Sequence, residues 1–477
     1  MSPRAPRPGE PCRHLVVEDA LLVDPASGHH GPGTIVVEDG RLAEVTWATP
    51  ARSRKAPAVV VMPGLVDLHA HLREPGGEDT ETILTGLAAA AAGGFTTVCA
   101  MPNTTPPLDD AAAVRDVLAR GRASRSPVRL LAYGTITAGR SGERLAPMAE
   151  LAAAGAIGFS DDGAPVDEAA LFAHALAYAG GIGRPLVEHP ELRSLTRGAE
   201  AHDGLAATIL GLAGWPVAAE TAAVARALAL LEDVARQAPA GAAPRLHLTH
   251  VSTADALALI RAAKAAGLPV TCDVTPHHLA LHDGWVGGDR RFAWEALAAP
   301  WAGKATAAEA YDTATRVNPP LRSPDHALAL WAGLVDGTVD AIATDHAPHP
   351  ETAKRVEFGD AAPGIAGLET ALPLVLAGVA AGLADLATVV RALTAGPVRA
   401  LGLTARGVPE PGLTVGATAD LVVVDRAAPW TVRAATLRSR AYATPLEGRR
   451  LESRVLATVA GGRFAYLDED WAGGTDG

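Results

Sequence analysis

Apolar and polar positions alternate along this 477-residue chain in two different rhythms. Towards its two ends the apolar residues come in short runs broken by glycine. Leu15–Val17, Leu21–Val23 and Thr34–Val37 lie near the start, and Ala419–Asp425 and Arg454–Val459 near the finish. Short runs bounded by turn formers predict β-strands. Asp39-Gly40 and Gly461-Gly462 have the composition of two-residue hairpin turns. Strand-rich segments at opposite ends of a chain predict one small composite β domain.

The middle of the chain has a longer period. Eight apolar runs, Val59–Val66, Phe95–Ala100, Val128–Tyr133, Ala156–Phe159, Pro185–Val187, Arg245–Leu248, Pro269–Val274 and Val339–Ala343, alternate with Ala- and Leu-rich stretches such as Leu87–Ala92 and Leu205–Ala213. Strands apolar along their whole length suit a sheet covered on both faces. Eight of them alternating with helices predict an α/β fold of the (β/α)8 TIM-barrel class. The expected division is 1–60 for the first part of the β domain, 61–400 for the barrel, and 401–477 for the rest of the β domain and a tail.

The polar residues that follow each run share a phase. In order they are His69 and His71, Asn103, Thr135, Asp161-Asp162, His189, His250, His277-His278 and Asp345. In a parallel barrel the C-terminal strand ends converge on one rim, where active sites are built. The pattern therefore predicts a polar site there.

Composition narrows the class. The chain is 48% hydrophobic but only 4% aromatic, so its core must be mostly Ala, Val and Leu. A formal net charge of −12 argues against a nucleic-acid partner, which demands a basic face. Cys12, Cys99 and Cys272 are too few and too scattered for a disulfide framework or a thiolate zinc knuckle. No apolar run reaches the ~18 residues of a membrane span, and no secretory signal is evident. A soluble protein of the reducing cytoplasm is the expectation.

His69 and His71 stand at i and i+2 on a strand end, so both imidazoles face the same way and can reach one ion. With His189, His250 and Asp345 they make a rim set of neutral imidazoles and a carboxylate that suits Zn²⁺. Asp161-Asp162-Gly163 is open to two readings from spacing alone, a second carboxylate for a metal pair or a local turn.

The stretch Pro63–Gly76 (PGLVDLHAHLREPG) resembles the signature of the amidohydrolase superfamily in its dihydroorotase form. Phe95–Thr104 (FTTVCAMPNT), Val274–Leu279 (VTPHHL), Val317–Arg322 (VNPPLR), Thr344–His349 (TDHAPH) and Gly364–Thr370 (GIAGLET) are similar to the same family, in the family's order, from about Val16 to Ala465. The resemblance implies that His69, His71 and Asp345 hold one zinc, that His189 and His250 hold a second, and that Asp162 bridges them. Two zinc ions per subunit are expected, with one as the alternative. Many relatives bridge the metals with a carboxylated lysine, and the FSDDG setting without lysine resembles the bacterial type I branch.

The reaction so implied is the reversible closure of N-carbamoyl-L-aspartate to L-dihydroorotate in pyrimidine biosynthesis. A metal-activated hydroxide is its nucleophile and Asp345 its proton shuttle. His71, Arg73, Asn103, Asn318, His349, Pro363 and Gly364 are implied to bind the substrate, with Arg73 offering a bidentate fork to its carboxylate. A homodimer is expected, with association with aspartate transcarbamoylase as a further partner. His277 and His278 are expected to pack rather than ligate.

Three features depart from the family pattern. Pro190-Glu191-Leu192 follows His189 where relatives carry an acidic pair, which puts an acid's role at Leu192 in doubt. A long segment from Asp283 to Thr315 carries Trp285, Trp294 and Trp301. Pro363 stands where an aromatic residue is common.

Overall fold

The computed structural model describes residues 7–48, 57–298 and 310–471, so Trp301 lies outside the described residues. In chain order the strands are β1 (His14–Asp24), β2 (His29–Glu38), β3 (Arg41–Trp47), β4 (Val59–Pro63), β5 (Leu65–Ala70), β6 (Phe95–Ala100), β7 (Arg129–Ala132) and β8 (Leu186–Glu188). There follow β9 (Ala201–His202), β10 (Gly214–Trp215), β11 (Leu246–Leu248), β12 (Val270–Val274), β13 (Ala341–Ile342) and β14 (Leu421–Asp425). The last four are β15 (Trp430–Thr431), β16 (Arg450–Leu451), β17 (Arg454–Ala460) and β18 (Arg463–Leu467).

The two ends of the chain meet in one seven-stranded sheet of order β18-β17-β14-β4-β1-β2-β3. The joint is the antiparallel pairing of β14 with β4, from Leu421 opposite Pro63 to Asp425 opposite Val59. Both predicted hairpins form. Asp39 and Gly40 have φ of 46° and 76°, and Gly461 and Gly462 have 55° and 73°. Positive φ at both central residues is the two-residue turn whose twist matches the flanking strands. The two tips abut, and a Cβ on Gly40 would come within 2.8 Å of the Gly462 carbonyl oxygen. Leu15, Val17, Leu22, Ile35, Val61, Leu421, Val423 and Phe464 make this sheet's own core.

The barrel is a (β/α)8 ring of parallel pairings. β5-β6-β7 form one sheet and β8-β11-β12-β13 another. Isolated parallel bridges close the circle, Ala70 to His346 on one side, and Gly134 to Phe159 and Phe159 to Leu186 on the other. β5 and β6 are buried at every position, because barrel packing covers one face and helices the other.

Three sequence expectations change. The first apolar run divides at Gly64, giving Val59–Pro63 to the composite sheet and Leu65 onward to the barrel. Gly64 is required there because a Cβ would collide with the Thr96 side chain. Ala156–Phe159 is no strand, and only Phe159 bridges its neighbours. The helix expected over Leu205–Ala213 stops at Leu210, where Gly211 takes φ 69°.

The segment from Asp283 is anchored rather than loose over its described part. Trp285 is fully buried, its Nε1 donates to the Arg291 carbonyl, and Arg449 from the C-terminal segment stacks 4.0 Å above Phe292.

Candidate metal centre

The strand-end histidines and aspartates converge at the C-terminal rim, and all six are buried: His69, His71, Asp162, His189, His250 and Asp345. Two overlapping groups bring ligand atoms within 4.8 Å of one another, His69-His71-Asp345 and His69-Asp162-His250. In the first, Asp345 Oδ1 lies 3.2 Å from His71 Nε2 and 3.4 Å from His69 Nε2. Asp162 sits at the middle of the cluster. Its Oδ1 is 3.4 Å from His69 Nε2, 3.6 Å from His189 Nδ1 and 3.7 Å from His250 Nε2, and its Oδ2 is 3.5 Å from His71 Nε2. His189 falls in neither group, although its Nδ1 stands 2.9 Å from His250 Nε2.

These separations are a test of fit for a metal. Tetrahedral zinc with bonds of about 2.0–2.1 Å places its ligand atoms about 3.4 Å apart. Most of the contacts have that spacing and lack hydrogen-bond geometry. Both ring nitrogens of His69, and Nδ1 of His250, are buried with no hydrogen-bond partner. Buried polar atoms are almost always paired, so an orphaned His69 Nε2 that stands 3.4 Å from both Asp162 and Asp345 fits an ion between them. Four imidazoles, two carboxylates and no thiolate suit zinc.

The charges point the same way. Burial alone would raise the carboxyls of Asp162 and Asp345, but the surrounding imidazoles hold both below the ordinary carboxylate range. Burial likewise pulls the imidazoles of His69 and His189 down, yet the neighbouring carboxylates prevail and lift them to about 9 and about 10. The carboxylates of the cluster thus favour positive charge on its imidazole side, the place that a bound cation would take.

Local backbone strain aims these groups. Arg73, His250 and Asp345 have φ of 59°, 36° and 46°, in the left-handed region that residues with side chains rarely adopt. Each such residue costs on the order of 1–3 kcal/mol and persists only where its surroundings over-determine it. For His250 the support is the Asp273 carboxylate, which accepts its backbone N–H at 2.6 Å and also pairs with His247 Nε2 at 2.9 Å. Asp67 does similar work across the ring closure, accepting from Thr344 N, Thr344 Oγ1 and His69 N. The neighbouring carboxylates Asp161 and Asp162 divide their tasks. Asp161 accepts from Ile136 N and from the backbone and hydroxyl of Thr137, while Asp162 faces the histidines.

The remaining predicted site residues surround this cluster. Asn103 Oδ1 pairs with His71 Nδ1 at 2.8 Å, which turns His71 Nε2 inward, and Asn103 Nδ2 donates to Asp162 Oδ2. Both ends of that amide are engaged within the cluster. Arg73 donates from Nε to the Pro348 carbonyl, and its Nη2 stands 3.2 Å from His349 Nε2. His349 Nε2 also lies 2.8 Å from the Pro363 carbonyl oxygen, and Gly364 N donates to Arg316 O. Burial, then the charge of Arg73, push the His349 imidazole down to about 3, so it is neutral. Asn318 donates from Nδ2 to Glu191 Oε2 at 3.2 Å, while its Oδ1 is buried without a partner. His278 is held between Thr275 Oγ1 and the Pro319 carbonyl. His277 is buried beside it and belongs to neither metal group.

Three acids of this site went unread in the sequence: Asp67, Asp273 and Glu191. The first two had a signal, a charge inside an otherwise apolar run (LVDLHA, VTCDV). Glu191 had none beyond its nearness to His189, yet its Oε2 lies 2.8 Å from His189 Nε2. The acid beside His189 is thus at 191, and Leu192 needs no such role.

Known proteins resemble this chain along nearly its whole length. A sequence profile for a Dihydro-orotase-like family matches residues 58–255. A dihydroorotase of Anaeromyxobacter sp. (strain K) is 47% identical over 95% of this chain and 98% of its own length. One from Pelotomaculum thermopropionicum is 41% identical over 95% of this chain and 99% of its own. Among solved structures, the L-hydantoinase (dihydropyrimidinase) of Arthrobacter aurescens superposes with a TM-score of 0.76 at 24% identity, over 96% of this chain and 98% of that one. The dihydropyrimidinase of Brevibacillus agri NCHU1002 gives 0.72 at 19%, over 96% of each chain. At such identities these two likenesses speak to the fold alone.

Proposed function

The chain belongs to the dihydroorotase family, and from that premise we propose that it closes N-carbamoyl-L-aspartate to L-dihydroorotate reversibly, at a zinc centre on the barrel rim. The observation that carries the proposal is the cluster of four imidazoles and two carboxylates, with His69 Nε2 orphaned at zinc spacing from both carboxylates, beside a half-buried arginine. His69, His71 and Asp345 would hold one ion, His189 and His250 a second, and Asp162 would lie between. When bound, zinc would polarise the ring carbonyl and bring the pKa of water towards ~7.

The chain's own residues supply the rest. Asp345 is ionised, and its Oδ2 makes no hydrogen bond among the described residues. That oxygen can take a proton from the attacking water and return it to the leaving ring nitrogen. Arg73 donates from Nε to the Pro348 carbonyl, while His349 Nε2, which donates to the Pro363 carbonyl, cannot also accept from Nη2, so both outer guanidinium nitrogens are left for the substrate carboxylate. Neutral His349, with the Pro363-Gly364 loop, closes the same side. Asn103 keeps His71 in the tautomer a ligand needs.

No helix among the described residues is long and apolar enough to cross a membrane. All three cysteines are free and buried, which suits a reducing cytoplasm. We place the enzyme there as a homodimer, with aspartate transcarbamoylase as a candidate partner. The test is to purify the protein, measure bound zinc, and follow both directions with dihydroorotate and carbamoylaspartate. Zinc-dependent interconversion is expected. Turnover of hydantoin or dihydrouracil without dihydroorotate would replace this reading with a hydantoinase. Zinc-free, inactive protein would replace it with a non-catalytic subunit.

A further inference from the structure

We propose that Glu191 is a positioning residue that couples the metal ligand His189 to the substrate-facing Asn318; this rests on the dihydroorotase reading of the site. One oxygen makes the coupling. Glu191 Oε2 lies 2.8 Å from His189 Nε2 and accepts from Asn318 Nδ2 at 3.2 Å. Its other oxygen accepts from the Thr196 hydroxyl. Glu191 is buried, and its carboxylate is fully used by groups from two separate parts of the rim.

Each contact has a directional consequence. A carboxylate at Nε2 puts the His189 proton on that nitrogen, so Nδ1 presents its lone pair to the cluster, where it stands 3.6 Å from Asp162 Oδ1. A carboxylate can only accept, so it fixes which end of the Asn318 amide is which. The NH₂ must face Glu191, and Oδ1 must point away as an acceptor. That Oδ1 is buried and has no partner, and a buried unpaired acceptor invites a donor from outside the chain. The substrate class it selects carries an amide or ureido N–H. An amide turned the other way would present a second donor and repel that group. Glu191 thereby ties the metal geometry to the polarity of the substrate pocket.

Reach and acceptor character matter in this account, and charge does not. Glu191→Gln keeps a carbonyl oxygen where Oε2 stands, able to accept from both His189 and Asn318, while its NH₂ can donate to Thr196 Oγ1. Glu191→Asp keeps the charge but falls a methylene short. Glu191→Leu removes both. Zinc affinity is read by chelator competition on metal-free protein, alongside KM and kcat for dihydroorotate at saturating zinc.

Glu191→Gln is expected to stay near wild type in zinc affinity and KM. Glu191→Asp and Glu191→Leu are expected to lose roughly 10–100-fold in zinc affinity and to raise KM more than they lower kcat. A role through charge alone would reverse that order, with Asp outperforming Gln, and would overturn the proposal. So would wild-type zinc affinity and KM in Glu191→Asp, which decides the matter if Glu191→Leu fails to fold. Wild-type protein that binds zinc but does not turn over dihydroorotate would instead sink the functional reading.

Discussion

Asp273 offers a graded test of how buried acids hold this site. It is fully buried in β12, accepting the His250 backbone N–H at 2.6 Å and pairing with His247 Nε2 at 2.9 Å. Asp273→Ala removes both partners and leaves a backbone donor and a ring nitrogen unpaired in the barrel interior. A buried donor left unpaired costs about 1–3 kcal/mol, so the two together cost about 2–6 kcal/mol, a large share of the ~5–15 kcal/mol that holds a domain together. Asp273→Asn is milder. Its carbonyl can still accept from His250 N–H, and its amide can donate to His247, so the bonds survive and only the charge goes. Hydrogen bonds to a charged group are worth about 1.5–3 kcal/mol against about 0.5–1.5 for neutral ones, so two of them lose about 2 kcal/mol. Urea titration of the metal-free protein measures both variants. Zinc affinity should fall in the same order, because His250 loses the anchor of its strained backbone. Equal losses for Ala and Asn, or unfolding of either variant at the wild-type urea concentration, would refute the reasoning.

Three further outcomes are expected. Asp345→Asn should lower kcat for dihydroorotate by roughly 10²–10⁴-fold, the range of a lost general base, in protein that remains folded by circular dichroism. Arg73→Lys should raise the KM for dihydroorotate, since an ammonium cannot reproduce the guanidinium fork; an unchanged KM in steady-state assays would remove Arg73 from substrate binding. Lys354 is buried, donates among the described residues to the Thr313 and Arg316 carbonyls, and is pushed by burial from 10.5 down to about 7. Between those two values the unfolded chain holds a proton that the native state lacks, so this group's contribution to stability rises with pH across that window and is at its least favourable below it. The stability advantage of Lys354→Met over wild type should accordingly shrink as pH rises from about 7 to about 10.5 in parallel melts; a difference independent of pH would contradict the burial.

Much of this protein is determined by order along the chain. The eight apolar runs predict the ring because a strand covered on both faces must be apolar throughout, and that requirement is local. Parity sets His69, in β5, and His71, just past its end, on one side for the same reason, and the shared phase of His189, His250 and Asp345 places them on one rim. The hairpins at Asp39-Gly40 and Gly461-Gly462 are equally local, since each turn's chemistry lies in two residues.

Other features belong only to the closed structure. Phe159 alone stands for a whole strand because its neighbours on either side complete the circle. The split at Gly64 is imposed by Thr96, a residue from the next strand. Asp162 and Asp161 are chemically identical neighbours, and only the direction each carboxylate faces sends one to Thr137 and the other to four histidines. Glu191 meets Asn318 across 127 residues, and Asp67 meets Thr344 across 277. Periodicity reports what a residue's own backbone does with water. Which buried acid braces which ligand depends on ring closure, which brings remote segments within hydrogen-bond reach, and no local pattern carries that information.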